Sequence, residues 1–271
     1  MSHKAGFVSI IGYPNVGKST LMNALVGERL SIITPKAQTT RHRIKGIVNG
    51  PDYQVVYSDT PGILKPNYKL HHSMMDAVLS SLLDADIILL ITEKKLQFSE
   101  TEILDHIKTA SIPVIVAINK IDLSNQDEVA QEVTKWEEIL PGAIVIPVSG
   151  LYNANIDMLQ NTVLRLIPES PPFFSKDDLT DSTERFFVAE IIREKILLNF
   201  SEEIPYSSAV TVNSFKEKKK GDQPLIYIEA TIFVERESQK AIILGHHGSA
   251  IKKLGTDARK EIEALCMTGI Q

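Results

Sequence analysis

Gly12-Tyr13-Pro14-Asn15-Val16-Gly17-Lys18-Ser19 fits the pattern G-x-x-x-x-G-K-[ST]. Residues 6–11 before it are apolar on both faces, and residues 19–26 after it read as a helix. A glycine loop between a buried strand and a helix is the setting in which this pattern binds phosphate. Its backbone N–H groups turn inward around an anion, and the helix N-terminus adds partial positive charge. Lys18 then reaches the β- and γ-phosphates and the Ser19 hydroxyl takes one position on Mg²⁺. Thr20 follows in the same turn. The loop therefore predicts a nucleoside triphosphate site on an α/β scaffold.

Working outward, residues 54–58, 87–92, 114–118 and 143–148 are further short runs rich in Ile and Val. Strands buried on both faces of a mostly parallel sheet have this texture. Residues 73–83, 99–109, 126–139 and 156–167 lie beside them and read as helices. In the last, Ile156, Leu159, Val163, Leu164 and Ile167 recur at helical spacing. Strand and helix in alternation predict a doubly wound α/β domain over residues 1–168. Pro168, Pro171 and Pro172 then open a polar stretch, read as a linker over 169–183.

Residues 184–271 differ. Residues 186–200 read as a helix. Residues 209–215 and 225–234 read as antiparallel strands across a basic turn, Lys218-Lys219-Lys220-Gly221. Residues 238–244 and 249–265 read as helices on either side of Gly245-His246-His247-Gly248. The order is helix, strand, strand, helix, loop, helix: a smaller α+β domain.

Composition bounds the function. The 271 residues carry 29 Lys+Arg against 34 Asp+Glu, a net charge of −5, with 43% hydrophobic residues. These values exclude a largely disordered chain and argue against coating nucleic acid by bulk charge. Cys266, the single cysteine, fits a reducing compartment. No apolar run reaches the roughly 18 residues of a membrane span, and the apolar run at 5–11 is too short for a signal peptide.

Asn119-Lys120-Ile121-Asp122 follows the run 114–118. It resembles the N-K-x-D motif with which P-loop GTPases read guanine. A carboxylate only accepts, and guanine presents two adjacent donors, whereas adenine leaves such an acceptor pair unmatched. The resemblance gives that role to Asp122, the base edge and loop backbone to Asn119, and packing along the ring to Lys120. Val148-Ser149-Gly150 stands where the family has S-A-[KL], so Ser149 and a Gly150 N–H facing the guanine oxygen are implied. Asp59-Thr60-Pro61-Gly62 matches D-x-x-G: Asp59 would hold Mg²⁺ through water, and the Gly62 N–H would reach the γ-phosphate. The polar segment 34–43 would order around both, with Thr40 as metal ligand. Thr39 is the alternative, and the sequence does not separate the two.

Ile63 follows Gly62 where Ras-like proteins carry a water-orienting Gln, and it can neither donate nor accept a hydrogen bond. Hydrolysis must therefore be slow or positioned otherwise. A hydrophobic residue there, together with Asn15 in the phosphate loop, resembles the TrmE–Era group. In that group such an Asn accompanies a K⁺ that supplies charge at the transition state.

Gly245-His246-His247-Gly248 with the following Ile251-Lys252-Lys253-Leu254 resembles the G-x-x-G loop and helix of a type II KH domain. Such loops clamp single-stranded RNA. Lys252 and Lys253, with Arg259 and Lys260, make a local basic patch. The whole chain resembles the Era family of bacterial GTPases. The resemblance implies GTP/GDP and Mg²⁺ as ligands, slow GTP hydrolysis, and binding to the 3′ end of 16S ribosomal RNA. It also implies a role in 30S subunit maturation and a cytoplasmic location with peripheral inner-membrane association; a monomer is expected. The alternatives are a tRNA-modification or membrane-associated GTPase, or an RNA-binding module whose nucleotide site only regulates. A type II KH fold has a further strand and helix after the last helix read here. The sequence stops at Gln271, so a shortened domain with an unpaired sheet edge is expected.

Overall fold

The computed structural model describes residues 3–66, 69–94, 101–220 and 223–267. The chain divides into two compact units, Met1–Asp181 and Ser182–Gln271.

In the first unit, β1 (Lys4–Gly12) enters the phosphate loop and α1 (Lys18–Val26) leaves it. β2 (Ile44–Asn49) and β3 (Tyr53–Asp59) form an antiparallel pair. α2 (Lys69–Leu83), β4 (Ile87–Glu93), α3 (Thr101–Thr109), β5 (Val114–Asn119), α4 (Gln126–Ile139), β6 (Ile144–Pro147) and α5 (Ile156–Leu166) follow. The sheet order is β2-β3-β1-β4-β5-β6, parallel except at β2. Strand order reverses beside β1, and ligands of such sheets bind outside the carboxyl ends at that point. The phosphate loop stands there. One core cluster gathers Ile11, Ile88, Leu90, Val116, Ile118 and Trp136, all nearly or fully buried. α4 begins with a capping box, Asn125 accepting from Glu128 N–H and Glu128 from Asn125 N–H.

Two features depart from the sequence reading. β2 is an additional edge strand, unassigned from sequence. The stretch read as a linker is ordered on the first unit up to Asp181. Gln54, fully buried on β3, accepts from the N–H groups of Phe173 (2.7 Å) and Phe174 (2.9 Å) and donates to the Phe174 carbonyl (3.0 Å). Ile47 N–H donates to Leu179 O, and Lys45 pairs with Asp181 at 2.7 Å. The strap thus hydrogen-bonds along the β2–β3 edge, which would otherwise present unpaired backbone groups.

In the second unit, α6 (Glu184–Asn199) leads into β7 (Ser208–Lys220) and β8 (Gln223–Val234), an antiparallel pair. α7 (Glu237–Leu244), a 3₁₀ turn at His246–Gly248 and α8 (Ser249–Met267) complete it. Val188, Ile191, Ile192 and Ile196 of α6 pack with Val212 of β7 and with Leu254, Ala258 and Ile262 of α8. α6 also buries an ion pair: Arg193 Nε donates to Glu190 Oε1 at 2.8 Å and Nη2 to Oε2 at 2.5 Å. Among the described residues this sheet has two strands. Gly221 of the basic turn, Ser99 and Thr268 to Gln271 lie outside the described residues.

Candidate functional site: a nucleotide cleft and a glycine-loop basic patch

A cavity of about 360 Å³ opens above the carboxyl end of β1. Its wall is formed by residues 14–20 of the phosphate loop and α1 other than Val16, by residues 32–36 and 38–40, and by Gly62 and Lys120. The loop shape requires its glycines. Gly17 has φ +94°, and a Cβ there would stand 2.3 Å from Asn119 Nδ2, so only glycine fits.

Lys18 is buried, and its ammonium donates to Gly12 O (3.1 Å) and Tyr13 O (2.9 Å). Desolvation lowers its pKa to about 8, against the opposing pull of Asp59. Asp59, fully buried at the end of β3, is pushed above the usual carboxylate range by desolvation; Lys18 and the hydroxyls of Ser19, Ser31 and Thr40 oppose the rise. Ser19 Oγ donates to Asp59 Oδ2 at 2.7 Å and lies 2.9 Å from Thr40 Oγ1. Asp59 Oδ1 is buried without a hydrogen-bond partner.

The structure thus brings Ser19, Thr40 and Asp59 together. Thr39 also lines the cavity, but its hydroxyl donates to Lys36 O at 2.7 Å instead of meeting Ser19. One carboxylate and two hydroxyls are too few for an all-protein metal cage. Among the described residues no group of three or more His, Cys, Asp and Glu is placed to hold a metal. A hard ion that keeps waters and takes phosphate oxygens, as Mg²⁺ does, fits this donor set, and the orphaned Asp59 Oδ1 offers it an acceptor.

Asn119 is a staple. Its Nδ2 donates to Val16 O at 2.8 Å and its Oδ1 accepts from Gly150 N–H at 3.0 Å. The Gly150 N–H, expected to face a guanine oxygen, is therefore engaged with Asn119. Ser149 Oγ donates to Asp122 Oδ1 at 2.6 Å, which fixes that carboxylate at the loop edge. Lys120, at φ +61°, donates to Asn15 O at 2.6 Å and pairs with Glu93 at 2.5 Å.

Other expected residues lie outside the cleft wall. Ile63 does not line it: the side chain is fully buried among Ile11, Val78 and Leu90, and its N–H donates to Gly12 O. Its place after Gly62 suggests a nucleotide contact; its side chain instead lies in the core. Thr60 and Pro61 are buried, with Thr60 Oγ1 donating to Ile10 O at 2.7 Å. Val16 is fully buried, and Tyr13 packs against the same core as Ile63. Sequence reasoning missed Ile32 and Ile33 of the wall and the anchor Asn23. From α1, Asn23 accepts from Leu30 N–H (3.1 Å) and Ser31 N–H (3.0 Å) and donates to Ser31 O (2.8 Å). A polar Asn in the first helix after the loop was the available signal.

In the second unit, Gly245 has φ +70° and ends α7 with a bond from its N–H to Ala241 O. A Cβ there would stand 2.6 Å from Ala250 Cβ. His246 and His247 are exposed with ring centroids 4.0 Å apart. Gly248 has φ +76°, and α8 starts at Ser249 with Lys252 and Lys253 exposed in its first turns.

The comparisons with known proteins follow this division. A family model described as a 50S ribosome-binding GTPase matches residues 7–120, and a KH-domain model matches residues 203–270. GTPase Era of Geotalea daltonii is 47% identical over 98% of this chain and 89% of its own length. The chain belongs to the Era family of GTPases. GTPase Era of Ruminiclostridium cellulolyticum is 42% identical over 100% of this chain and 90% of its own length. A crystal structure of Era with MgGDPNP and nucleotides 1506–1542 of 16S ribosomal RNA superposes with TM-score 0.91. It is 40% identical and covers 97% of this chain and 89% of that one. A tyrosine-to-alanine variant of Aquifex aeolicus Era bound to GDP·AlF₄⁻ also gives TM-score 0.91 at 40% identity, covering 97% and 90%. The fold is therefore that of an Era-family P-loop GTPase followed by a KH domain.

Proposed function

We propose that this chain binds GTP in the cleft, hydrolyses it slowly, and uses the nucleotide state to control binding of small-subunit ribosomal RNA by its second unit. The observation that carries the reading is the meeting of Ser19, Thr40 and Asp59 beside the desolvated Lys18. Ser19 and Thr40 would ligate Mg²⁺ directly and Asp59 through water, with Lys18 on the β- and γ-phosphates and the Gly62 N–H on the γ-phosphate. The ion supplies charge neutralisation between the phosphates when bound. Asp122, held by Ser149, would read the guanine donors.

Ile63 contributes no water-orienting group, so slow turnover is expected. Asn15 Nδ2 lies 3.4 Å from Pro35 O, and the amide oxygen with such carbonyls would suit K⁺. GTP hydrolysis should be faster in KCl than in NaCl, and Asn15→Ala should erase the difference; equal rates of the unmodified protein in both salts would sink the K⁺ site.

Gly245, His246, His247 and Gly248 would hold an RNA backbone, with Lys252 and Lys253 on its phosphates. The Era relative crystallised with 16S nucleotides supports a 16S 3′-end target and hence the 30S subunit. Competition of GTP against ATP, with binding of a short 16S 3′-end oligonucleotide, tests the reading. Preference for ATP, or no oligonucleotide binding in either nucleotide state, would defeat it. Among the described residues no helix is long and apolar enough to cross a membrane. A cytoplasmic protein with peripheral inner-membrane association is the location we propose, testable by cell fractionation. A monomer is proposed with it, testable by sedimentation.

A further inference from the structure

Residues 34–39, between α1 and β2, close a ring of hydroxyl contacts. Thr39 Oγ1 donates to Lys36 O at 2.7 Å. The Thr34 hydroxyl lies 2.6 Å from Thr39 Oγ1, and Lys36 N–H donates to Thr34 Oγ1 at 3.2 Å. The protons balance: with the Thr39 proton on Lys36 O, Thr34 donates to Thr39, and within the ring each hydroxyl donates once and accepts once. Gln38, at φ +59°, reverses the chain immediately before Thr39.

The ring has two neighbours that matter. Thr40, the next residue, places its hydroxyl 2.9 Å from Ser19 Oγ. Pro35, inside the ring, turns its carbonyl toward Asn15 Nδ2 at 3.4 Å. Both point at the phosphate loop, and both depend on backbone that the ring holds.

We propose that Thr39, anchored by Thr34, is a positioning residue for GTP hydrolysis. Its hydroxyl clasps the segment so that Thr40 and the Pro35 carbonyl face the phosphate loop together. The clasp rests on the reading of Thr40 as a metal ligand. It acts on the closed arrangement rather than on nucleotide capture, because Lys18 and the loop N–H groups do not depend on it.

The test compares Thr39→Val, which keeps the shape and removes the hydroxyl, with Thr39→Ser and Thr40→Ala in the full chain. Thr39→Val should lower kcat about tenfold, the size of one lost hydrogen bond expressed in a rate. Its GDP affinity should stay within about twofold of the unmodified protein, since the loss is confined to the hydrolytic arrangement. A non-hydrolysable GTP analogue should protect Lys36, Arg41 and Arg43 from trypsin in the unmodified protein and in Thr39→Ser, and should fail to do so in Thr39→Val. Thr39→Ser should restore kcat. A wild-type kcat with full protection in Thr39→Val would overturn the clasp, as would Thr39→Ser proving as slow as Thr39→Val. Thr40→Ala separates the two claims. If it is slow while Thr39→Val is not, the clasp alone fails; if it is as fast as the unmodified protein, the Thr40 reading fails and takes the clasp with it.

Discussion

The two glycine loops of this chain, one proposed for nucleotide and the other for RNA, share a local geometry and differ in burial. Each ends a regular element, turns through positive φ and opens a helix. The loop at 12–19 lies on a buried sheet: Lys18 is 6% exposed and Asp59 fully buried beneath it. The loop at 245–248 lies on the surface, with His246, His247, Lys252 and Lys253 all exposed. Low dielectric makes each polar contact in the first loop strong and each loss costly. In the second, solvent and salt would screen every contact, and affinity would have to accumulate from many weak ones. The same local geometry can thus serve a small ligand held in fixed register or a long polyanion held loosely.

The largest effect should come from the buried loop. Lys18→Ala removes a desolvated charge from the phosphates and should weaken GTP binding by about 10³-fold, several charge-assisted hydrogen bonds' worth. A titration showing a loss of only a few-fold would mean that the two loops are energetically alike. Asp122→Ala should cost about 10²-fold in GTP over ATP selectivity, because guanine's two donors lose their acceptor. Competition between the two nucleotides measures it.

The pH response sharpens the contrast further. Lys18 has its folded pKa lowered from 10.5 to about 8. Between those values the unfolded chain binds more protons, so this group's contribution to stability rises with pH from about 8 to 10.5. Bound phosphate restores the charge on Lys18, so nucleotide binding takes up a proton above pH 8. GDP affinity should then fall by up to about tenfold per pH unit above 8. Calorimetry at pH 8.5 in two buffers of different ionisation enthalpy should show the proton uptake. The smallest effect is expected at the surface loop. Lys252→Ala should weaken RNA binding a few-fold and reduce the log–log salt slope by about one, with nucleotide affinity unchanged. Filter binding across a salt series reads both.

The parallel strands were legible because runs such as Ile87-Ile88-Leu89-Leu90-Ile91 are apolar on both faces and bounded by turn residues. β2 was not. Ile44–Asn49 contains Gly46 and Lys45 and lies at an edge, where only one face needs apolar residues. Its glycine has a packing cause: a Cβ there would stand 2.6 Å from Val26 Cγ2 on α1. The strap was hidden for another reason. Proline and charge at 168–178 describe a flexible connector, and nothing local reports that Gln54, about 120 positions earlier, supplies a buried amide for it. The motif residues of the cleft were readable from spacing because loop, strand end and helix start are local. What spacing could not give was orientation: that Thr40 rather than Thr39 faces Ser19, that the Gly150 N–H is engaged by Asn119, and that Ile63 points into the core.

That last side chain sets a population. Ile63 adjoins Gly62 and is fully packed within the sheet's apolar cluster. Any rearrangement of the 59–62 segment that lifts Ile63 into water forfeits about 1.5–3 kcal/mol of burial. Without a ligand to favour it, such a displaced state would hold about one molecule in ten to one in a hundred or fewer. The segment therefore rests overwhelmingly in one arrangement, and a ligand must bind the displaced form roughly ten- to a hundredfold more tightly to make it common.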